Sequence, residues 1–391
     1  MPTLRSALTL ATVLVSCAPA APAQALPPEP PSPRRPIAPD PAPPASASQS
    51  AAAPTAAPAP PAPAAALPAP VPAPSALARG TNTPADLALA EGDAAFARDD
   101  VKRALLAFQR AKRLAPVDPA PVAGIARATL GAPDVAMALA SGEHDKNLLA
   151  LVAELERARK LDPSYAPLER EYGKALFVLG RAEPAIEALK HVVLSVPNDL
   201  EAVSTLAVAL ISTGHSDLAL PHLRHAVELE PDSAGPLTNL GTALLLTGAV
   251  GEAATAFEGA ARFEPNDARV HSDLGTAYLT EGRIESALAE LAKATTLDPQ
   301  RATFRSNLAH ALEVAGRLDA ALASARRASE LDPKLGSAWI NVGTASAKLG
   351  KYADARRAFE RAAADPFSRR RAEVAQKRST RAGERARSNV V

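Results

Sequence analysis

The sequence predicts an all-α solenoid, in which antiparallel helix pairs repeat along the chain and stack around one continuous apolar core. Three observations predict it: a fixed repeat period, small residues in step with that period, and a composition that favours helices. Hydrophobic residues make up 47% of the 391 residues but aromatic residues only 3%, so Ala, Leu and Val dominate. Such a composition favours helices over sheets.

Prolines mark the period. They recur at equal intervals, at Pro163, Pro197, Pro231, Pro265, Pro299 and Pro333. Proline just beyond a helix ends it, because proline lacks the backbone N–H and restricts the residue before it. A fixed period of about 34 residues indicates stacked units, none of which can bury its apolar face alone.

Small residues keep the same step. In the first helix of each unit they are Gly92, Gly173, Ala207, Gly241, Gly275, Ala309 and Gly343. In the second helix they are Ala104, Ala185, Ala219, Ala253, Ala287, Ala321 and Ala355. Small side chains at these places let two antiparallel helices approach closely, so each unit is predicted to be a tightly packed helical hairpin.

One unit is irregular. The interval from Pro116 to Pro163 is longer than the regular interval that separates Pro163 from Pro197. We predict a first helix over Pro119–Thr129, a second over Asn147–Leu161, and a stretched connection over 131–146. The connection is either a tolerated surface insertion or a partner-specific loop. Counting this unit, which covers residues 117–163, the sequence predicts about eight helix pairs.

These features, Trp339 included, resemble the tetratricopeptide repeat family over residues 83–366. The resemblance implies a right-handed superhelix over residues 81–366, whose first helices line a concave groove. It also implies a non-catalytic scaffold that binds proteins or extended peptides and needs no cofactor. Catalytic and phosphate-binding motifs are not found in the sequence.

A polar row is expected along one wall of that groove. Asn239, Asp273, Asn307 and Asn341 recur at the repeat period, and Thr242, Thr276, His310 and Thr344 lie nearby. Asn amides both donate and accept hydrogen bonds, which suits the backbone of an extended peptide. The row therefore predicts a partner-binding site, and the alternative is that asparagine is simply common at this place in the repeat.

Three histidines invite a metal interpretation. His222 and His225 lie three residues apart on one predicted helix, with His215 and Glu228 close by. The competing interpretation, a solvated outer face, is favoured because nothing supplies an inner-facing carboxylate cluster. We predict no metal site. A net charge of +1 also gives the molecule no strong attraction to nucleic acid.

Residues 1–17 predict export. Arg5 precedes an uncharged apolar run over residues 7–15, which is typical of a secretory signal. The run ends in Leu14-Val-Ser-Cys17, which resembles the lipobox of bacterial lipoproteins. That resemblance implies lipidation of Cys17 and, with Ala18 following, an outer-membrane anchor facing the periplasm. The alternatives are that Cys17 is incidental, or that cleavage after Ala25 releases a soluble periplasmic protein.

The flanks of the solenoid differ from it in composition. Residues 18–80 are rich in Pro, Ala and Ser, which predicts a disordered linker acting as a spacer, or a PxxP ligand around Pro28–Pro31. Residues 367–391 are strongly basic and predict a capping helix with a frayed tail, or a surface for anions. We hypothesise an envelope lipoprotein that docks partner segments during assembly of a complex. Alternatives are a soluble adaptor, or a scaffold subunit for an enzyme on another chain.

Overall fold

In a computed structural model of the chain, residues 76–131 and 146–388 are described, and all regular structure within them is helical. The helices of the first half are α1 (Pro84–Ala97), α2 (Val101–Leu114), α3 (Pro119–Leu130), α4 (Lys146–Arg159), α5 (Ala166–Val178), α6 (Ala182–Ser195), α7 (Leu200–Ser212) and α8 (Ser216–Leu229). Those of the second half are α9 (Ala234–Thr247), α10 (Val250–Phe263), α11 (Ala268–Glu281), α12 (Ile284–Leu297), α13 (Ala302–Val314), α14 (Leu318–Leu331), α15 (Gly336–Lys348), α16 (Tyr352–Ala362) and α17 (Arg369–Ser388).

Helices α1 to α16 form eight successive hairpins, each an odd-numbered first helix packed against the even-numbered second helix that follows it. Every first helix also contacts the first helix of the next hairpin, from α1 through to α15. The first helices therefore make one continuous side of the stack, which we call the inner face. Helix α17 packs against α15 and α16 at the end of the stack. The prediction of an all-α solenoid is confirmed over the described residues.

The small residues act at the contacts within each hairpin. A Cβ added at Gly241 would lie 2.8 Å from the ring of Phe257, and one at Gly275 would lie 2.6 Å from Cγ of Leu291. Both distances are too short for a carbon–carbon contact, so only glycine allows these helices to approach so closely. Gly92 and Gly343 stand in the same relation to Phe108 and Phe359.

A second set of glycines, which the sequence analysis did not use, makes the turn inside the hairpins. They have φ between 73° and 85° and are Gly180, Gly214, Gly248, Gly282, Gly316 and Gly350. Left-handed backbone of this kind is easily reached only by glycine, and it ends the first helix of each hairpin. In the first hairpin Asp99 takes this conformation instead, at φ 65°.

The irregular unit forms a hairpin like the others. Its helices, α3 and α4, lie within two residues of the ranges expected from the sequence. Most of the long connection, residues 132–145, lies outside the described residues, as do the predicted signal segment, Cys17 and the linker up to residue 75. Within the described ranges, none of the helices combines the length and the apolar character needed to cross a membrane.

Candidate functional site

The predicted polar row lies on the inner face. Asn239 is in α9, Asp273 in α11, Asn307 in α13 and Asn341 in α15, each at the same position of its first helix. All four side chains are half-buried. The structure therefore brings the four residues into one row across four neighbouring units.

Two of the row's asparagines are hydrogen-bonded to the preceding unit. The amide nitrogen of Asn341 donates to the backbone oxygen of Ser306 at 2.8 Å and to its hydroxyl at 3.1 Å. The amide nitrogen of Asn307 donates to the hydroxyl of Ser272 at 3.1 Å. These bonds join adjacent first helices, which gives asparagine a structural reason to recur. The amide oxygens accept nothing from the described part of the chain and remain available as acceptors.

The other two members of the row lack this bond. Asn239 and Asp273 make no side-chain hydrogen bond within the described residues. Thr238, 35 residues before Asp273, occupies the repeat position of the serines that Asn307 and Asn341 contact, and its hydroxyl donates to the backbone oxygen of Ala234 at 2.8 Å. Burial raises the pKa of Asp273 to about 6; Arg269, one turn earlier, opposes this shift and Asp267 adds to it.

The threonines beside the row bond to their own helices. The hydroxyls of Thr242, Thr276 and Thr344 each donate to the backbone oxygen four residues earlier, at 2.8 to 2.9 Å. Their protons are therefore used, and their oxygens can only accept. Around them the inner face offers acceptors more readily than donors.

His310 takes part in a small charged cluster. Its Nδ1 lies 3.4 Å from Glu313, which also contacts Lys348 on α15. The hydrogen bond from His310 lowers the pKa of Glu313; burial opposes this, and Lys348 reinforces it. Glu313 therefore has one partner on its own helix, His310, and one on the next unit, Lys348.

A network of buried charges fills the inner face of the earlier units. The guanidinium of Arg170 is fully buried and lies 2.7 Å from Asp199 and 3.0 Å from Glu171. Arg127 on α3 reaches the same carboxylate of Glu171 at 3.5 Å. These pairs connect α3, α5 and the start of α7.

Lys174 and Glu201 extend the network toward α7. Nζ of Lys174 lies 2.7 Å from Glu201 and 3.1 Å from Glu171. Burial lowers the pKa of Arg170, but Glu201, Glu171 and Asp199 outweigh burial and raise it. For Glu201, burial raises the pKa, yet Lys174 and Arg170 hold it far below its usual range. Arg170 and Glu201 therefore remain charged near neutral pH.

This network was not predicted from the sequence, although the repeat period carried a signal for it. Glu171 occupies the same repeat position as Asn239, and Lys174 the same position as Thr242, two periods later. Charged residues at positions that are mostly uncharged in later units indicate a different inner face. On that basis, oppositely charged partners about one repeat away in the sequence, such as Asp199 for Arg170, could have been predicted.

The residues just before α1 pack onto the inner face of the first units. The backbone N–H groups of Leu77 and Ala78 donate to the carboxylate of Asp93 at 2.7 and 3.1 Å. The other oxygen of Asp93 receives Arg127 at 3.2 Å. Leu77 is only 1% exposed. The packed part of the chain therefore includes residues before residue 81, the start expected from the sequence, because Leu77 is buried against the first units.

Arg79 extends this contact over two further units. Its guanidinium pairs with Asp118 at 3.1 Å and lies 5.1 Å from the centroid of the Tyr165 ring. Asp118 precedes α3 and Tyr165 precedes α5. A non-helical segment is thus held along three units by backbone hydrogen bonds and one basic side chain.

One histidine on α8, His225, bonds to protein groups. His225 lies 3.3 Å from Glu228, and its Nε2 lies 3.1 Å from the backbone oxygen of Pro197. Across the described ranges, no group of three or more His, Cys, Asp or Glu side chains is placed to hold a metal ion.

Comparison with known proteins identifies the repeat. A family model described as tetratricopeptide repeat matches residues 204–268, 272–336 and 307–369. These residues are tetratricopeptide repeats. Proteins built from this repeat are scaffolds for protein–protein interaction, since a solenoid presents a long surface to its partners. No curated protein matches the chain.

Solved structures share the architecture. The Cut9–Hcn1 hetero-tetramer of the APC/C matches 77% of this chain and 57% of its own, with 18% identity and a TM-score of 0.55, which shows the fold. This chain therefore spans little more than half of that protein. The tetratricopeptide protein TTC0263 of Thermus thermophilus is 27% identical, with 46% and 98% of the two chains covered and a TM-score of 0.40. YrrB, described as having an unusual peptide-binding site, is 23% identical, with 49% and 92% covered and a TM-score of 0.39.

Proposed function

We propose that this chain is a non-catalytic scaffold whose inner face, from α7 to α15, docks an extended segment of a partner protein. The observation that carries the proposal is the polar row of Asn239, Asp273, Asn307 and Asn341. Its side chains are half-buried, and their acceptor oxygens have no donor in the described part of the chain. An extended backbone supplies N–H donors at regular spacing, so it complements such a row.

The first units provide an internal parallel. There, the backbone N–H groups of Leu77 and Ala78 bind an inner-face carboxylate, that of Asp93. This contact supports the proposal because it is made between a non-helical segment and the same side of the stack. In the later units, no described residue of the chain takes the corresponding place.

Photo-crosslinking tests the binding face. A photoreactive residue replaces Thr242 or Thr276 on the inner face, and in a matched control it replaces Thr255, which is exposed on the second helix α10. The full-length variants are irradiated with an array of ten-residue peptides. We expect crosslinks from the two inner-face positions and few from Thr255. Equal labelling at all three positions, or none, would remove the inner face as the binding site.

We further propose that the scaffold is exported and tethered to the bacterial outer membrane through a lipid on Cys17, where it serves the assembly of an envelope complex. The sequence supports this through its apolar leader and the lipobox-like Leu14–Cys17. The Ala23-Gln24-Ala25 site favours the second candidate, a soluble periplasmic adaptor. Labelling with radioactive palmitate separates the two. Incorporation that disappears in Cys17→Ser supports the anchor, and a mature chain beginning at Leu26 supports the adaptor.

A further inference from the structure

Asp273 is an exception among the inner-face carboxylates. Others at comparable depth have partners: Glu171 has Arg127, Arg170 and Lys174; Asp199 has Arg170; Glu201 has Lys174; and Glu313 has His310 and Lys348. Asp273 makes neither a hydrogen bond nor an ion pair with the described part of the chain. Arg269, one turn earlier on the same helix, forms no ion pair with it. A half-buried carboxylate left in this state is costly unless a ligand supplies the missing charge.

The repeat register explains why Asp273 has no partner. At the same position, Asn307 and Asn341 donate to the serine 35 residues earlier. An aspartate has no N–H to donate, and the hydroxyl at the corresponding position 35 residues earlier, that of Thr238, donates to Ala234. Asp273 therefore gives up the bond between units and adds a negative charge to a row whose other members are neutral.

In the first units, an inner-face carboxylate is bound by both hydrogen-bond donors and a cation. Asp93 receives two backbone N–H groups from the docked segment and also the guanidinium of Arg127 from the neighbouring first helix. At Asp273 the neighbouring first helices place Asn239 and Asn307 at the row, and neither is a cation. Arg269 is the nearby cation of this chain, and it forms no ion pair with Asp273, so the place for a paired cation is open to a bound segment.

We propose that the partner segment docked on the inner face carries a lysine or arginine whose side chain binds Asp273. This rests on the proposed docking function and deepens it by naming the chemistry of the partner: an extended segment with one basic residue among uncharged ones. Charge complementarity selects the occupant, because a charge-assisted hydrogen bond to a half-buried carboxylate is stronger than a neutral one.

The test uses the full-length chain and fluorescein-labelled ten-residue peptide libraries of Ala, Ser, Thr and Asn, in which one central residue is Lys, Arg, Gln or Glu. Affinity is measured by fluorescence polarisation. We expect the Lys and Arg libraries to bind about tenfold more tightly than the Gln library, and the Glu library to bind most weakly. In Asp273→Asn the ratio of the Lys and Arg affinities to the Gln affinity falls to about one, whatever the change in the Gln affinity itself. Asp319→Asn, an exposed change on the second helix α14, is the matched control and keeps the advantage.

Each outcome separates the two proposals. Binding of all four libraries with equal affinity, or an advantage for Lys that persists in Asp273→Asn, overturns the role of Asp273 and leaves the docking function standing. No binding of any library to the wild-type chain overturns the docking function and this inference with it. A peptide of residues 30–39, which contains Arg34 and Arg35 from this chain's own Pro-rich stretch, is tested alongside. If it alone binds, and depends on Asp273, the occupant is the chain itself and the partner proposal falls.

Discussion

The two halves of the inner face use the same repeat positions in opposite ways. In the first half, Arg170, Glu171 and Lys174 form a buried network of charges that also takes in neighbouring units. Two periods later, the same positions hold Thr238, Asn239 and Thr242, which are uncharged and half-buried or buried. The hairpins beneath both halves share their packing. The difference therefore shows that the repeat fixes the scaffold, while the inner-face side chains decide whether a face is satisfied internally or left open.

We call the first half, with its paired charges, the closed half, and the later half, with the polar row, the open half. A segment of the chain itself already lies on the closed half. Residues just before α1 lie on it, held by Asp93 and reaching as far as Tyr165 through Arg79. Its charges are paired within the chain, so a ligand would have to displace existing contacts. In the open half, the bonds of Asn307 and Asn341 and the Glu313–Lys348 pair join neighbouring units, and the acceptor oxygens of the polar row are unfilled. We therefore expect the first half to contribute stability and the second to contribute binding.

The largest expected effect is the loss of Arg170. Replacing it with Ala leaves Glu171 and Asp199 buried with fewer cations, which should cost about 3–5 kcal/mol of unfolding free energy. Urea denaturation followed by circular dichroism measures this. Arg224→Ala removes an exposed pair with Glu252 and should change stability by less than about 1 kcal/mol. Equal losses in the two variants would mean that the buried network does not distinguish the first half.

Asp273→Asn should stabilise the open half near neutral pH. The folded pKa of about 6 lies above the ordinary value of 3.8, so the folded state holds the proton more tightly. The destabilisation is absent below about pH 4 and grows as pH rises through 6, to at most about 3 kcal/mol. Denaturation of both chains at pH 4, 5, 6 and 7 checks this. The difference between them should widen with pH, and a constant difference would contradict it.

The hairpin packing should be equally sensitive in both halves. Gly92→Ala and Gly343→Ala each place a methyl group against a buried ring, that of Phe108 or Phe359, and should each cost about 2 kcal/mol. In Gly251→Ala, the new methyl would approach only the end of the flexible Glu281 side chain, at 3.3 Å, so stability should be little changed. Thermal unfolding of the three variants compares them. Very different losses at residues 92 and 343 would show that the halves differ in their cores as well.

The smallest effect distinguishes bonded from unbonded members of the polar row. Asn341→Ala removes the hydrogen bonds to Ser306 and should cost about 1 kcal/mol. Asn239→Ala removes none from the described chain and should be nearly neutral. Chemical denaturation of both variants at one pH resolves the difference. A larger loss at Asn239 would reverse the assignment of structural and available side chains.

The sequence predicted the hairpins well because their determinants are local and periodic. A proline in each period and a glycine opposite each ring, as at Gly241 and Phe257, set where helices end and how closely they approach. The two helices of the irregular unit were also predicted, because α3 and α4 have their own apolar patterns. These features depend on residues within one unit. Because the same pattern recurs in each period, the helix assignment in one unit supports the assignment in the next.

The candidate site was predicted less completely. The period placed Asn307 and Asn341 in one row, but it could not show that their donors reach serines 35 residues earlier, because that contact depends on how far one unit is rotated against the next. For the same reason the network around Arg170 was missed. That Asp273 lacks a partner is evident only once its neighbours are placed.

Contacts between neighbours along the whole stack have a mechanical consequence. Each helix packs only against elements close to it in sequence, so a load applied at the two ends would meet one hairpin interface at a time. Under an optical trap, the solenoid should lengthen in steps of one unit, about 110 Å of freed chain each. The units joined by the Arg170 network should give way last, since their interfaces also carry buried ion pairs.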